Sequence, residues 1–557
     1  MTNVLRIWLG GLLIARVHTI LMLLAVFAIG PEALADTDGQ PQTRAERTDY
    51  QETSHYEDVI SFIGNLQTRG APISVQYIGT STKGRGIPLV IASRPLVASP
   101  AHAHRLDKPV VYVQANIHAG EVEGKEAAQM LLRDLSQEPA GGLLDKIVLL
   151  TTPIYNIDGN ESWGPQNQNR RYQYGPEIVG IRANGQGLDL NRDYVKVESP
   201  EVWAALQHIF TTWDPDVFMD LHATDGTIHG YRLTYSPPLN PDTEAGVLRY
   251  TRDELLPNVR KILHKEYSME IFDYGNTPWR GGELAWYTNE PEPRYGTNYV
   301  GLRNRISILS EAMSHLSFRD RVEATYRFVH TILQEVARDG KHVINLTRQA
   351  DARVIGWGLS QETAPPMGVR FDFDIRGEEE VLLEEPASPD KLGIEDRSRK
   401  PGPPKTIVKV KMPICDRFKA TRTSRFPAAY FIPAELPEVA ELLLFHGIVV
   451  QRLLSDWQGT CESFMIEKIK TTEQPFQGHR LNQLEGRFET LQTKIPSGSY
   501  FVRTAQPLGI LIFHLLEPES LDGVAAWNFL DRSLSTDKPY PIHKCFEQLN
   551  VACERLH

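Results

Sequence analysis

Between residues 56 and 345, short apolar runs alternate with longer stretches in which apolar positions recur every three or four residues. The runs at 109–116, 147–155, 217–221 and 306–309 predict strands, and the stretches at 125–135, 200–213, 243–267 and 319–338 predict helices. That alternation predicts an α/β fold with a mixed, mostly parallel twisted sheet flanked by helices. The pattern changes after Arg348, where "EEEVLLEEPASPDKLGIEDRSRKPGPPK" is charged and ends rich in proline. Residues 346–405 therefore read as a linker and exposed loop. Beyond them "TIVKVKMPI", "AAYFIPA", "GSYFVRT" and "GILIFHLL" read as strands of a β-rich accessory domain over 406–557. Residues 36–55 are polar and read as a flexible lead-in.

Composition narrows the choice of partners. A chain of 557 residues exceeds one ordinary core, so several domains are expected. A net charge of −11 provides no basic surface for tracking phosphates, which argues against nucleic acid as a partner. Residues 1–35 combine Arg6 and Arg16 with apolar stretches and end in "PEALAD", the pattern of a secretory signal cut before Asp36. The apolar run 20–30 is shorter than the roughly 20 residues a bilayer span needs, so no stable membrane partner is expected once the signal is removed. Export to the periplasm or the medium follows. Cys415, Cys461, Cys545 and Cys553 contain no CxxC pair; they read either as disulfide partners or as buried thiols.

Candidate chemistry collects at the predicted strand ends. "HAGE" closes the run 109–116 and opens a helix, putting His118 and Glu121 where one tight turn brings an imidazole and a carboxylate to the same cation. "VFMDLHATDG" ends a second run with His222, completing a His–Glu–His set, with Asp220 or Asp225 available to orient a histidine. "NIDG" at 156–159 and "GQGLDLNRDY" lie between them, and Asn191 with Arg192 offers an amide and a planar fork for a carboxylate. "RISILSEA" ends a fourth run with Glu311, a carboxylate suited to take a proton from metal-bound water.

In order as well as in kind, HAGE, NIDG, DLNR, DLHAT and LSEA resemble the zinc metallocarboxypeptidases, the carboxypeptidase A-like peptidases, over residues 56–345. The resemblance implies one zinc held by His118, Glu121 and His222, with Glu311 as the catalytic glutamate. It makes Asn191 and Arg192 the pair that holds a substrate's terminal carboxylate. Arg171, 12 residues past the glycine of NIDG, corresponds to the arginine that steadies the oxyanion, with Arg170 and Arg182 as competitors. Two features depart from the family pattern. Gly120 stands where classical members carry an arginine, and the spacing expected to supply a substrate-capping tyrosine reaches Thr277, leaving Tyr274, Tyr295 and Tyr299 open. In "WRGGELAWY", Gly281, Gly282 and Trp286 align with the family's specificity stretch and put Leu284 at the pocket floor, implying neutral or apolar terminal residues.

The expected activity is therefore zinc-dependent hydrolysis of a C-terminal peptide or amide bond in a peptide with a free carboxylate. A deacylase of N-acyl amino acids, like aspartoacylase or succinylglutamate desuccinylase, shares such a metal site and is the alternative enzyme. A peptide-binding protein without turnover on the same fold is the alternative of another class.

Overall fold

The computed structural model describes residues 39–278, 283–386 and 400–556. The expected signal, residues 1–35, and Gly281 and Gly282 lie outside them.

Eight strands form the central sheet: β1 (Ile73–Thr80), β2 (Gly86–Ala92), β3 (Val110–Ala115), β4 (Val148–Thr152), β5 (Val217–Ala223), β6 (Leu233–Ser236), β7 (Ile271–Asp273) and β8 (Ile306–Ala312). Their order across the sheet is β1-β2-β4-β3-β5-β8-β6-β7. The pairs β3/β4, β3/β5, β5/β8 and β6/β7 are parallel, while β1/β2, β2/β4 and β6/β8 are antiparallel. The sheet is thus mixed and mostly parallel, as the alternating pattern predicts. Every residue of β3, β5 and β8 is buried, which explains why these strands read as continuous apolar runs. Helices α1 (Glu123–Gln137) and α2 (Phe318–Arg338) pack on the sheet and on each other.

Register carries the chemistry. Glu311 on β8 pairs with His222 on β5, and Ala115, the last residue of β3, pairs with Leu221. Three adjacent parallel strands therefore end together, with the HAGE turn, His222 and Glu311 along one edge.

Residues from Pro41 onward form one compact unit. A single hydrophobic cluster includes Val113 and Phe210 beside the central sheet and Leu443 and Val502 in the C-terminal region. That region is β-rich, with an antiparallel seven-stranded sheet as its largest element. At the junction the Tyr299 hydroxyl meets His446 Nδ1 at 2.8 Å, and Arg303 donates to the carbonyls of His446 and Phe210 at 2.9 and 2.8 Å.

Three readings from composition are corrected. In the expected flexible lead-in, residues 41–55 are folded: Thr43 caps a short helix, Arg44–Arg47, and Thr53 and Ser54 both donate to the buried Glu126 carboxylate of α1. A buried acceptor secures this polar segment where a hydrophobic contact would otherwise be needed. In the expected linker, Gly340–Leu359 is a helix and Met367–Asp374 and Glu378–Glu384 are strands whose charged residues are exposed or half-buried. "GILIFHLL" is a helix, Gly509–Leu516, buried on every side, and a fully apolar run gives no period by which to tell helix from strand. All four cysteines are unpaired, and three are buried.

Candidate active site

The HAGE turn is built for close approach. Asn116, directly after β3, adopts a left-handed conformation at φ 65°, and the Glu121 N–H closes the turn on the His118 carbonyl at 2.9 Å. Gly120 is required here by packing, since a Cβ would lie 2.6 Å from Arg170 Cγ and 3.0 Å from the Gly180 carbonyl. The Arg170 side chain fills the space above Gly120, where a residue with any side chain would collide with it.

His118, Glu121 and His222 converge. His118 Nδ1 lies 3.1 Å from His222 Nδ1 and 3.1 Å from Glu121 Oε1, and His222 Nδ1 lies 3.1 Å from Glu121 Oε2. Zinc ligands at about 2.1 Å in a tetrahedron stand about 3.4 Å apart, so the spacing fits that ion. The donor set fits as well: two imidazole nitrogens face each other across a shared point beside a carboxylate, which a cation satisfies and a single proton does not. All three side chains are buried.

Carboxylates support both histidines from behind. Asp189 Oδ1 lies 3.0 Å from His118 Nε2, and Asp220 Oδ2 lies 3.0 Å from His222 Nε2. Such partners fix the ring so that the other nitrogen faces the metal. Asp220 was one of the two carboxylates considered from sequence, whereas Asp189, within the DLNR motif itself, was missed. Burial pushes the Asp189 carboxyl up, but the His118 imidazole and the Arg182 and Arg192 guanidiniums outweigh it and hold the group far below the usual range. Burial likewise opposes ionisation of Glu121, which His118 and Arg170 nevertheless keep well below an ordinary glutamate.

The cavity of about 160 Å³ in front of this cluster is lined by His118, Glu121, His222, Asn191, Arg192 and Glu311 together, with Arg182, Tyr274 and Tyr295 among its other walls. Glu311 is 9% exposed and its Oε2 is buried without a hydrogen-bond partner. Burial pushes its pKa up to about 8; His222 opposes the shift, and the Glu121 and Asp225 carboxylates add to it. Asn191 Oδ1 accepts from the Gly296 N–H at 2.8 Å, which turns the amide so that its NH2 is the remaining donor. The Arg192 guanidinium stacks on the Tyr295 ring, 4.1 Å from its centroid.

Two expected residues are placed elsewhere. Arg171 is exposed and lies over the Tyr172 ring. Its neighbour Arg170 points inward instead, donating to Glu121 Oε1 at 3.0 Å and to the carbonyls of Ala223 and Thr224, while Arg182 reaches the cavity and donates to Asp189 Oδ2 at 2.9 Å. Leu284 is half-buried in a separate cluster with Phe272, Trp286, Met412 and Ile414, and it does not line the cavity. The cause is the short strand Trp286–Tyr287, which pairs with Ile407–Cys415 and draws the segment into the accessory strands. The tyrosine left open by sequence resolves spatially. Tyr274 and Tyr295 reach the cavity, whereas Tyr299 is buried in the core against His446.

Residues 59–296 match the family model for zinc carboxypeptidase. Over this stretch the chain is similar to the zinc carboxypeptidases. Carboxypeptidase 2 of Trichophyton tonsurans is 22% identical over 493 residues, spanning 83% of this chain and 81% of its own. Carboxypeptidase 2 of Trichophyton rubrum is 21% identical over 507 residues with the same shares. Among solved structures, the metallo-carboxypeptidase from Burkholderia cenocepacia is 18% identical, covers 52% of this chain and 70% of its own, and superposes with a TM-score of 0.38. The matched stretch holds most of the central sheet and the His118, Glu121 and His222 cluster, and its similarity is to metal-dependent peptide hydrolases. Of the cavity residues named above, all but Glu311 lie inside the matched stretch, and Glu311 lies beyond its end, on β8.

Proposed function

We propose that this protein is a zinc carboxypeptidase that removes the terminal residue of a peptide bearing a free carboxylate, with one zinc held by His118, Glu121 and His222 and with Glu311 as general base. The observation that carries the reading is the shared cavity: an unpartnered, buried Glu311 oxygen faces the same space as the three-residue cluster and the Asn191–Arg192 pair.

When bound, zinc supplies a Lewis acid for the scissile carbonyl, acidifies water and adds positive charge that favours the ionised form of Glu311. Arg192 and the Asn191 amide NH2 bind the terminal carboxylate and so fix the position of the last peptide bond. Glu311 accepts a proton from the attacking water and delivers it to the departing amine. Arg182, and not Arg171, takes the role of stabilising charge that develops on the carbonyl oxygen. Tyr274 is the capping tyrosine: burial beside Glu311 and Asp225 keeps its hydroxyl protonated and able to donate. Tyr295 is already committed, through its hydroxyl to Glu290 at 2.6 Å and through its ring to Arg192.

The export expected from residues 1–35 belongs to the same reading, and N-terminal sequencing of the secreted protein tests it. No helix among the described residues is long and apolar enough to cross a membrane.

The deciding experiment incubates the zinc-loaded protein with a peptide, with its C-terminal amide and with N-acetyl and N-succinyl amino acids. Release of the terminal amino acid from the free-acid peptide alone supports the proposal. Release of acetate or succinate without peptide cleavage identifies a deacylase. Peptide binding with no product of either kind identifies a protein without turnover.

A further inference from the structure

The DLNR segment touches a residue nearly 300 positions away. Gln477 Oε1 accepts the backbone N–H of Asp189 at 2.9 Å. This N–H comes just before the short helical turn Leu190–Arg192 that Asp189 caps, and nothing within the turn can accept it. Asp189 holds three partners at once: His118 Nε2, Arg182 Nε and, through its cap, the Asn191 N–H at 2.9 Å. Its position therefore sets a metal-binding histidine, an arginine of the cavity and the start of the carboxylate-binding pair.

Gln477 sits at the tip of a hairpin in the C-terminal region. Phe476 and His479 exchange both backbone hydrogen bonds, at 2.7 and 2.9 Å, and the two residues between them, Gln477 and Gly478, are left-handed at φ 50° and 83°. A two-residue loop with both positions left-handed ordinarily carries Asn or Gly first, because other side chains crowd the backbone there. Glutamine is the more strained choice, and its extra methylene carries the amide to Asp189. The hairpin is held at both sides of its tip. His479 Nε2 lies 2.8 Å from Glu198 Oε1, and Phe476 lies under the Arg294 guanidinium at 5.2 Å. Arg294 is in turn fixed by Asp522, which accepts its backbone N–H at 2.7 Å and faces its Nε at 3.0 Å. The next two residues are Tyr295, the ring behind Arg192, and Gly296, the donor to Asn191.

We propose that the C-terminal region is a working part of the active site, in which Gln477 is a positioning residue that sets Asp189 and, through it, His118 and the Asn191–Arg192 pair. The inference rests on the carboxypeptidase reading for its kinetic consequence and stands apart from it for its effect on zinc.

The test uses the full chain with Gln477→Gly, which relieves the left-handed strain and removes the acceptor, and Gln477→Glu, which retains an acceptor of the same length. One hydrogen bond of this kind changes an equilibrium by about 3- to 10-fold. Gln477→Gly is expected to weaken zinc binding, measured by chelator competition, and to raise KM for free-acid peptides, each by about that factor. The melting temperature should stay at or above wild type, kcat should change less than KM, and Gln477→Glu should restore both quantities. Wild-type zinc affinity and KM in Gln477→Gly, or a Gln477→Glu variant no better than Gln477→Gly, overturns the inference. Arg192→Ala serves as the parallel control. Equal losses on acid and amide substrates overturn the carboxypeptidase reading, and the zinc affinities of the two Gln477 variants then decide the inference by themselves.

Discussion

Replacing Asp189 by asparagine tests the carboxylate behind the metal cluster. The two side chains have the same shape, and asparagine caps a helical turn as well as aspartate does, so the turn at Leu190–Arg192 is retained. The hydrogen bonds are not. Aspartate accepts on both oxygens, with His118 Nε2 and the Asn191 N–H on Oδ1 and Arg182 Nε on Oδ2. An amide has one acceptor and one donor. If its oxygen keeps His118 and Asn191, its NH2 faces the Arg182 N–H; if it is turned over, NH2 faces the His118 and Asn191 donors. One side is always mismatched, and the negative charge that favours Nε2–H on His118 is gone. Losing a carboxylate partner of a metal-binding histidine costs about 10- to 100-fold in metal affinity, or about 1.4–2.7 kcal/mol. Chelator competition on purified Asp189→Asn measures this directly, with thermal unfolding of the metal-free protein confirming that the fold persists. Zinc affinity within twofold of wild type would refute the reasoning, because it would mean that the 3.0 Å contact to His118 does not orient the ring.

Four further outcomes follow from the geometry. Glu311→Gln should retain zinc within about twofold and lose kcat by roughly 10²- to 10⁴-fold, the usual contribution of a general base; metal analysis beside peptide hydrolysis checks both halves. Gly120→Ala should lower stability by about 1–3 kcal/mol through overpacking against Arg170, read by denaturant unfolding. Leu284→Asp should leave the ranking of terminal residues unchanged while lowering the melting temperature, and a switch toward Lys or Arg ends would return Leu284 to the specificity pocket. His446 is held neutral, its pKa pushed down to about 3 by burial first and by nearby Arg303 second. The unfolded chain binds the extra proton below about pH 6.5, so this contribution is whole above that pH and falls by about 1.4 kcal/mol per unit toward pH 3. His446→Gln should flatten that part of the stability profile.

The parts of the site legible in the sequence are those fixed by strand ends. A buried parallel strand leaves an apolar run, and the residues at its end must lie on one edge of the sheet; HAGE, His222 and Glu311 each follow such a run and line one cavity. Fixed offsets across loops were less dependable. Counting 12 residues from NIDG reaches Arg171, but a short helix, Gln166–Asn169, ends just before it and directs Arg170 inward and Arg171 outward. Leu284 failed for a related reason, since strand pairing with residues far along the chain decided where its segment went. Asp189 had a local signal, an acidic residue two positions before Asn191 in the DLNR motif, and finding it needed only the question of what holds His118. Gln477 had none, because a hydrogen bond spanning 288 residues leaves no trace in local pattern.

The continuous core between the central sheet and the C-terminal region has a consequence for how the protein is made. A ribosome delivers residues 41–345 first, and at that moment all eight strands of the sheet exist, yet Phe210 and Tyr299 lack the His446 end of their packing and Asp189 lacks its outside tether. The unfinished chain is an incomplete scaffold until residues 446–477 are made. The tether at Asp189 thus forms only after most of the chain has been made.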